Sequence, residues 1–246
     1  MQTQTNQATQ PTADPATHPA THPTQVSYRA PVTLGAFFLS ATSVFFVAHA
    51  IAQLAWPGYS ISQYDVSALA VTQCGSYTNG AGGLTFYACS PLHLVMNVGF
   101  ILTGICTTAG SLLTRSIWPR RRVTSVGMVL VAASGCGAIL TGLFPANLNF
   151  GLHVLGALIY FLTAGSGILL LGFGVRTRNR RRAAWSLALG GTTIAGFVLY
   201  NSQIFLGLGP GGMERVLGFS PVVWAIGLGV ALLFQGHMDN RASRVA

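Results

Sequence analysis

The sequence predicts an all-α protein, a polytopic bundle of six transmembrane helices with both termini in the cytoplasm. The chain of 246 residues is 51% hydrophobic and only 7% charged, whereas soluble domains have about 25% charged residues. Six apolar stretches are long enough to cross about 30 Å of hydrocarbon. All 13 basic residues are arginines, and most lie in alternate loops between these stretches, which predicts the orientation of the chain.

The six predicted spans alternate in direction through the membrane. They cover residues 33–55, 92–114, 124–144, 152–174, 185–206 and 217–235. Two of the intervening loops are rich in arginine, and the positive-inside rule places such loops in the cytoplasm. Their arginines are Arg115, Arg120, Arg121 and Arg122 in one loop, and Arg176, Arg178, Arg180, Arg181 and Arg182 in the other. This orientation leaves Arg215 as the only basic residue outside. We expect a multi-pass protein of the bacterial plasma (inner) membrane.

The chain divides into a membrane domain and two tails. Residues 1–30 are rich in Gln, Thr, Pro and Ala and predict a disordered cytoplasmic tail. Residues 31–236 form the six-helix domain, and residues 237–246 form a short cytoplasmic C-terminal tail. The net charge is +9, but the arginines do not interleave with aromatic residues on a soluble face. We therefore expect the lipid bilayer as the main partner and no nucleic acid.

Polar residues of the predicted spans concentrate near the extracytoplasmic ends. His49 with Gln53, and His93 with Asn97, are four residues apart and therefore share a helix face. Polar groups in a helical bundle tend to face inward, because lipid leaves them unpaired. We therefore predict a polar basin at this mouth of the bundle. Its expected members are His49, Gln53, Asn97, Asn201, Gln203 and Arg215.

Four further residues are candidates for chemistry in this basin. His93 or His153 could act as a general base, and Asp65 or Glu214 could orient it. The histidines could equally cap helix ends or bond to loop backbone. Glu214 beside Arg215 could be a structural ion pair or an anchor for the loop. The membrane-domain histidines show no HxxxH spacing, so we expect no metal and no cofactor.

The long outer loop, residues 56–91, contains Cys74 and Cys89. An oxidising exterior would allow a disulfide between them, and two free thiols are the alternative. Serine followed by proline is typical of a helix start, so Ser90–Pro91 and Ser220–Pro221 predict the first residues of spans two and six. The glycine-rich segment GLGPGGMER, residues 207–215, predicts a turn between helices.

Several segments resemble one family of membrane proteins. They are SPLHLVMNVGFILTG from Ser90, the GLFPAN turn at 142–147, the LHxxGA start at 152–157, GMERV at 212–216 and YDVSAL at 64–69. Together they are similar to the bacterial and archaeal family known as domain of unknown function 998, over about residues 33–235. The resemblance implies a compact multi-helix membrane protein and assigns no activity. The recurring polar and turn positions that it matches are Asp65, Pro91, His93, Asn97, Pro145, His153, Glu214 and Arg215.

The sequence favours an integral membrane protein of unknown biochemical activity with a structural or accessory role. The one-sided basin leaves an alternative, which is a membrane-embedded enzyme or a protein that binds a lipid or isoprenoid from the outer leaflet. A small transporter would need ionisable or unwound groups near the midplane. Apart from Gln235 at the last position of the sixth span, the inner halves of the predicted spans contain only Ser, Thr, Tyr and Cys as polar types, which speaks against transport.

Overall fold

A computed structural model describes residues 30–78 and 85–245, with side chains as far as residue 238. It contains six helical segments that are long and apolar enough to cross a membrane, so the predicted six-span all-α fold is confirmed. Apart from Ala30, the predicted N-terminal tail lies outside the described residues. The helices are α1 Ala30–Ala41 and α2 Val44–Leu54, which together form the first span, α3 His93–Leu113, α4 Arg122–Leu143, α5 Phe150–Val175, α6 Arg180–Asn201 and α7 Gly209–Val245.

The first span is interrupted between α1 and α2. At the break, the Thr42 hydroxyl donates to the Leu39 carbonyl over 2.7 Å. Threonine and serine hydroxyls that bond to a carbonyl of the preceding turn compete with the regular helix and often bend it. The local sequence Thr42–Ser43 therefore supplies a physical reason for the interruption.

The last helix begins earlier than the sequence predicts. It starts at Gly209, so the segment that we expected to be a turn forms its first two turns, and Pro221 lies inside the helix. Pro210 is favourable here because the first turn of a helix needs no N–H donor. The Ser220 hydroxyl donates to the Val216 carbonyl over 2.7 Å, so the predicted helix start at Ser220–Pro221 is wrong.

The predicted role of Ser90 as a helix cap is also wrong. Helix α3 begins at His93 without a side-chain cap, because the Ser90 hydroxyl donates instead to the Leu69 carbonyl over 2.7 Å. The fifth span begins at Arg180 rather than at residue 185, and the Asn179 side chain accepts from the Arg182 N–H at its start. Long arginine side chains can begin a membrane helix because the charged group reaches back to water.

The helices form a closed ring in sequence order. Both halves of the first span pack against α3, each later helix packs against the next along the chain, and α7 packs against α1. The contact between α4 and α5 depends on small residues, which allow membrane helices to approach closely. A Cβ atom on Gly127 would lie 2.9 Å from the Gly167 carbonyl oxygen, and one on Gly167 would lie 2.8 Å from that of Gly127. Neither position leaves room for a side chain.

The arginine-rich loops meet at one end of the ring, which we call the arginine end. The guanidinium of Arg182 lies over the Trp118 ring, 5.7 Å from its centroid. Trp118 in turn stacks with Trp224 of α7, and both belong to a buried apolar cluster with Ile168 and Leu171. Packing of these large side chains joins the loop before α4 to α5, α6 and α7 at this end.

The opposite end is covered by a folded segment, residues 55–78 and 85–92, which we call the cap. The sequence predicts only a loop here, but the cap contains a 3₁₀ turn, Val66–Ala70, and an antiparallel hairpin of β1 Gly75–Thr78 and β2 Thr85–Ala88. Cys74 and Cys89 flank the hairpin and are joined through their sulfur atoms. Trp56, Leu69 and Phe86 are buried with Met96 of α3, so the cap shares a core with the helices.

Candidate functional site

Arg215 of α7 is buried against the backbone of the cap. Its Nη1 donates to the carbonyl oxygens of Ile61 at 3.0 Å and Tyr64 at 3.1 Å. The same atom donates to the Gly211 carbonyl of its own helix at 2.7 Å. Hydrogen bonds from an ionised donor are stronger than neutral ones, and a planar guanidinium can serve several acceptors at once. Arg215 therefore fixes one edge of the cap to the last helix.

Tyr59 and His49 contact the same guanidinium, and we call these three residues the Arg215 cluster. Arg215 Nη2 donates to the Tyr59 hydroxyl at 2.6 Å and lies 3.3 Å from His49 Nε2. Because a guanidinium can only donate, Nε2 of His49 is the acceptor. The Tyr59 hydroxyl donates onward to the Asp65 carbonyl oxygen at 2.9 Å. Burial raises the pKa of Tyr59 above its ordinary value, and the charge of Arg215 offsets only part of this. The hydroxyl therefore remains a donor.

Glu214 holds the adjacent part of the cap. Its carboxylate accepts from the backbone N–H of Val66, the first residue of the 3₁₀ turn. It also accepts from the backbone N–H of Ser67. An acidic side chain placed at the start of a helical turn satisfies N–H groups that have no partner inside the turn. Glu214 and Arg215 thus both contact the cap, one through its amides and the other through its carbonyls.

Two asparagines attach the rest of the cap to the helices. Asn97 of α3 is buried, and its Nδ2 donates to the Ala70 carbonyl at 2.9 Å. Asn147 accepts from the Thr72 N–H at 3.0 Å and donates to the Thr72 hydroxyl at 2.8 Å. We did not predict a role for Asn147. The only sequence signal was its position in the GLFPAN turn.

A cavity of about 370 Å³ lies between the cap and helices α5, α6 and α7. Its polar lining includes the side chains of Asp65, His153, Asn201 and Glu214. Six aromatic residues form much of the remaining wall: Tyr77, Phe86, Phe150, Phe161, Phe197 and Tyr200. A mostly apolar cavity with a few converging polar groups is typical of a site for a small molecule.

A smaller cavity of about 40 Å³ lies next to the first, and His153 and Glu214 line both. Nδ1 of His153 is 3.0 Å from the Phe144 carbonyl oxygen. A carbonyl can only accept, so Nδ1 carries a hydrogen and the ring is held against the end of α4. Beyond the smaller cavity, the Tyr160 hydroxyl donates to the Gly218 carbonyl at 3.1 Å. This bond joins α5 to α7.

The structure divides the residues of the predicted basin into separate groups. His49 and Arg215 lie together in the cluster at the cap edge. Asp65, His153, Glu214 and Asn201 line the larger cavity. Asn97 bonds to the cap backbone, and His93 Nδ1 lies 3.1 Å from the Ser90 carbonyl at its own helix start. Gln53 is half-buried and Gln203 is exposed beyond the end of α6, and neither lines the cavity.

Two groups of site residues were not anticipated from the sequence. Tyr59 is one, and the aromatic wall of the cavity is the other. Tyr59 lies in a stretch rich in aromatic residues, but no periodic pattern marks a loop residue that will be buried. Within the described parts of the chain, no group of three His, Cys, Asp or Glu side chains could hold a metal ion.

The comparison with protein families identifies the chain. A family model described as a protein of unknown function (DUF998) matches residues 39–231. The chain belongs to the DUF998 family. No curated protein and no solved structure matches it. The match includes the cap and every residue of the Arg215 cluster and the cavity. This DUF998 protein is thus a multi-pass integral membrane protein, and the family description assigns no activity to its site.

Proposed function

We propose that this DUF998 protein binds an amphiphile of the lipid or isoprenoid class in the cavity beneath its cap. The observation that supports the proposal is the composition of the cavity, which has acidic and amide side chains together with an aromatic wall. Its volume of about 370 Å³ falls within the usual range for small-molecule sites. It is suited to the polar end of an amphiphile and the first part of its tail.

We further propose that the cap faces the outside of the bacterial plasma membrane. The arginine-rich loops lie at the other end of the helices, and such loops are normally cytoplasmic. The cap carries the Cys74–Cys89 pair, and disulfides persist in oxidising compartments. A membrane-impermeant thiol reagent should label both cysteines on intact cells after reduction. Labelling that requires opened cells would reverse the orientation and would place the ligand in the inner leaflet.

The ligand can be sought directly by native mass spectrometry of protein purified in mild detergent. Ala157 of α5 lines both cavities, so Ala157→Phe should fill the space without adding a charge. Ala188 of α6 is exposed, and Ala188→Phe is the matched control. We expect the wild type and the control to retain a bound molecule that Ala157→Phe loses, at an equal thermal stability. Retention by all three proteins, or by none, would contradict the proposal.

A structural or accessory role is the second candidate, and a specific observation favours it. Four side chains direct their polar groups to the backbone of the cap, namely those of Asn97, Asn147, Glu214 and Arg215. In that case the protein acts by presenting an ordered cap. Arg215→Gln removes the donor to the Ile61 and Tyr64 carbonyls and would then abolish the cellular phenotype by loosening the cap, whereas Ala157→Phe would leave it unchanged. The two variants therefore separate the two functions in one complementation experiment.

A further inference from the structure

We propose that the polar end of the bound molecule is a cation, an amine or a quaternary ammonium group, held between two carboxylates and aromatic rings. This inference rests on the proposed binding function and specifies its ligand. Three features of the cavity support it, namely the acidic side chains in its lining, the direction of the nearby arginine away from it, and the aromatic wall.

The ionisable side chains that line the cavity favour a positive charge. Asp65 is buried and Glu214 is half-buried, and both line the same space. No arginine or lysine is among the described residues of the lining. Residues 79–84, which connect the two strands of the hairpin, also contain no ionisable side chain. A phosphate or carboxylate group in this cavity would therefore lie beside like charges, which is unfavourable at low dielectric.

The nearby arginine does not direct its charge into the cavity. Arg215 follows Glu214 in α7, but its guanidinium bonds to the Ile61 and Tyr64 carbonyls and does not line the cavity. A ligand in the cavity therefore meets the two acidic side chains and not the guanidinium.

The aromatic wall supplies a second interaction with a cation. The faces of phenylalanine and tyrosine rings attract ammonium groups, by about 0.5 to 2 kcal/mol for each favourable contact. The phenylalanines of the wall come from three parts of the protein. They are Phe86 of the cap, Phe150 and Phe161 of α5, and Phe197 of α6. Cages of aromatic residues are a common arrangement for binding methylated ammonium groups. The same rings can also contact the tail of an amphiphile.

The test compares probes that share one tail and differ in head-group charge. Protein in nanodiscs is titrated with dodecyltrimethylammonium, dodecanol and dodecyl phosphate, and binding is followed by native mass spectrometry. We expect the ammonium probe to bind about tenfold more tightly than dodecanol, since a charge-assisted contact contributes at least about 1.5 kcal/mol. Dodecyl phosphate should bind least.

Three variants assign this preference to the carboxylates. Asp65→Asn and Glu214→Gln keep the shape of each side chain, and each should weaken the ammonium probe about tenfold relative to dodecanol. Asn201→Asp adds a carboxylate at an exposed position of the lining and should strengthen ammonium binding. It remains informative if either of the other variants folds poorly.

The outcomes separate the inference from the function on which it rests. If dodecanol and dodecyl phosphate bind as well as the ammonium probe, or if all three variants bind it like the wild type, the cationic head group is wrong and amphiphile binding stands. If none of the three probes binds, both proposals fail.

Discussion

Glu214 and Arg215 are neighbours in α7, yet their side chains hold two different parts of the cap. The carboxylate accepts from the Val66 N–H, and the guanidinium donates to the carbonyls of Ile61 and Tyr64. One turn of one helix therefore satisfies both the donors and the acceptors of a short cap segment. The position of that segment determines where the roof of the cavity lies.

Replacing Arg215 should release the cap. Arg215→Gln leaves at least two carbonyls without their charged donor, and a buried acceptor without a partner costs about 1 to 3 kcal/mol. We expect faster hydrogen–deuterium exchange and faster proteolysis throughout residues 56–78. Arg215→Lys should restore part of the protection, because an ammonium keeps the charge but lacks the planar fork.

The control for this experiment is Arg176→Gln, because Arg176 is exposed at the arginine end. In this variant, the backbone amides of the cap should exchange at the wild-type rate. An unchanged exchange rate in Arg215→Gln would show that the cap is held mainly by its apolar core.

Tyr59 should make the cap sensitive to alkali. Burial raises the pKa of its hydroxyl, whereas a tyrosine in the released cap ionises at a pH of about 10. Docking is therefore fully favourable below that pH and weakens as the pH rises above it, by up to about 1.4 kcal/mol per pH unit. Proteolysis of the cap should increase as the pH rises above about 10.

Tyr59→Phe should remove this alkaline transition. Its cap should be less stable at neutral pH, because Arg215 loses the hydroxyl partner, but the stability should no longer fall with pH in the same range. A transition of equal size in the variant would assign the effect to another group.

The Cys74–Cys89 pair should stabilise the cap. Its members are 15 residues apart, and closing a loop of this length contributes about 3 kcal/mol in the chain-entropy model. The double variant Cys74→Ser, Cys89→Ser should unfold its cap at a lower denaturant concentration. Cys106→Ser serves as the control within α3. Peptide masses from unreduced protein should show the bond, and two alkylated thiols would contradict the prediction.

Close packing of α4 and α5 should make Gly167 sensitive to a single methyl group. Gly167→Ala would place its Cβ 2.8 Å from the Gly127 carbonyl oxygen. We expect a loss of about 1 to 3 kcal/mol in the free energy of unfolding, which is typical of overpacked sites. Gly191→Ala is the matched control, because its Cβ would meet nothing within 4 Å. Thermal unfolding of both variants in one detergent measures the difference.

Most of the fold follows from the order of apolar and polar residues along the chain. Hydrophobic length alone defines the six spans, because a helix is the simplest way to satisfy the backbone in lipid. The ends of helices were less predictable. Ser220–Pro221 resembles a helix start, yet it lies inside α7, because apolar residues on both sides and the packing of the whole helix outweigh one proline. The glycines before Glu214 likewise do not prevent helix formation.

The sequence predicts which residues belong to the candidate site, but it does not predict which of them lie together. The sequence places His49, Asp65, His153, Glu214 and Arg215 at one end of the bundle, and the structure assigns them to a cluster and a cavity. Helical periodicity gives the face of a helix, but the fold of a loop depends on contacts between distant residues. The hairpin and the buried Tyr59 therefore appear only in three dimensions.

The separation between the cap and its anchors has a consequence for biogenesis. Val66 and Glu214 are 148 residues apart, and Ile61 and Arg215 are 154 apart, so the ribosome completes the cap long before its partners. The hairpin can close on its own during this interval. Two ionisable side chains in an incoming helix are costly to place in lipid, and here they meet acceptors and donors that are already in position. We therefore expect the early cap to lower the cost of inserting the final segment.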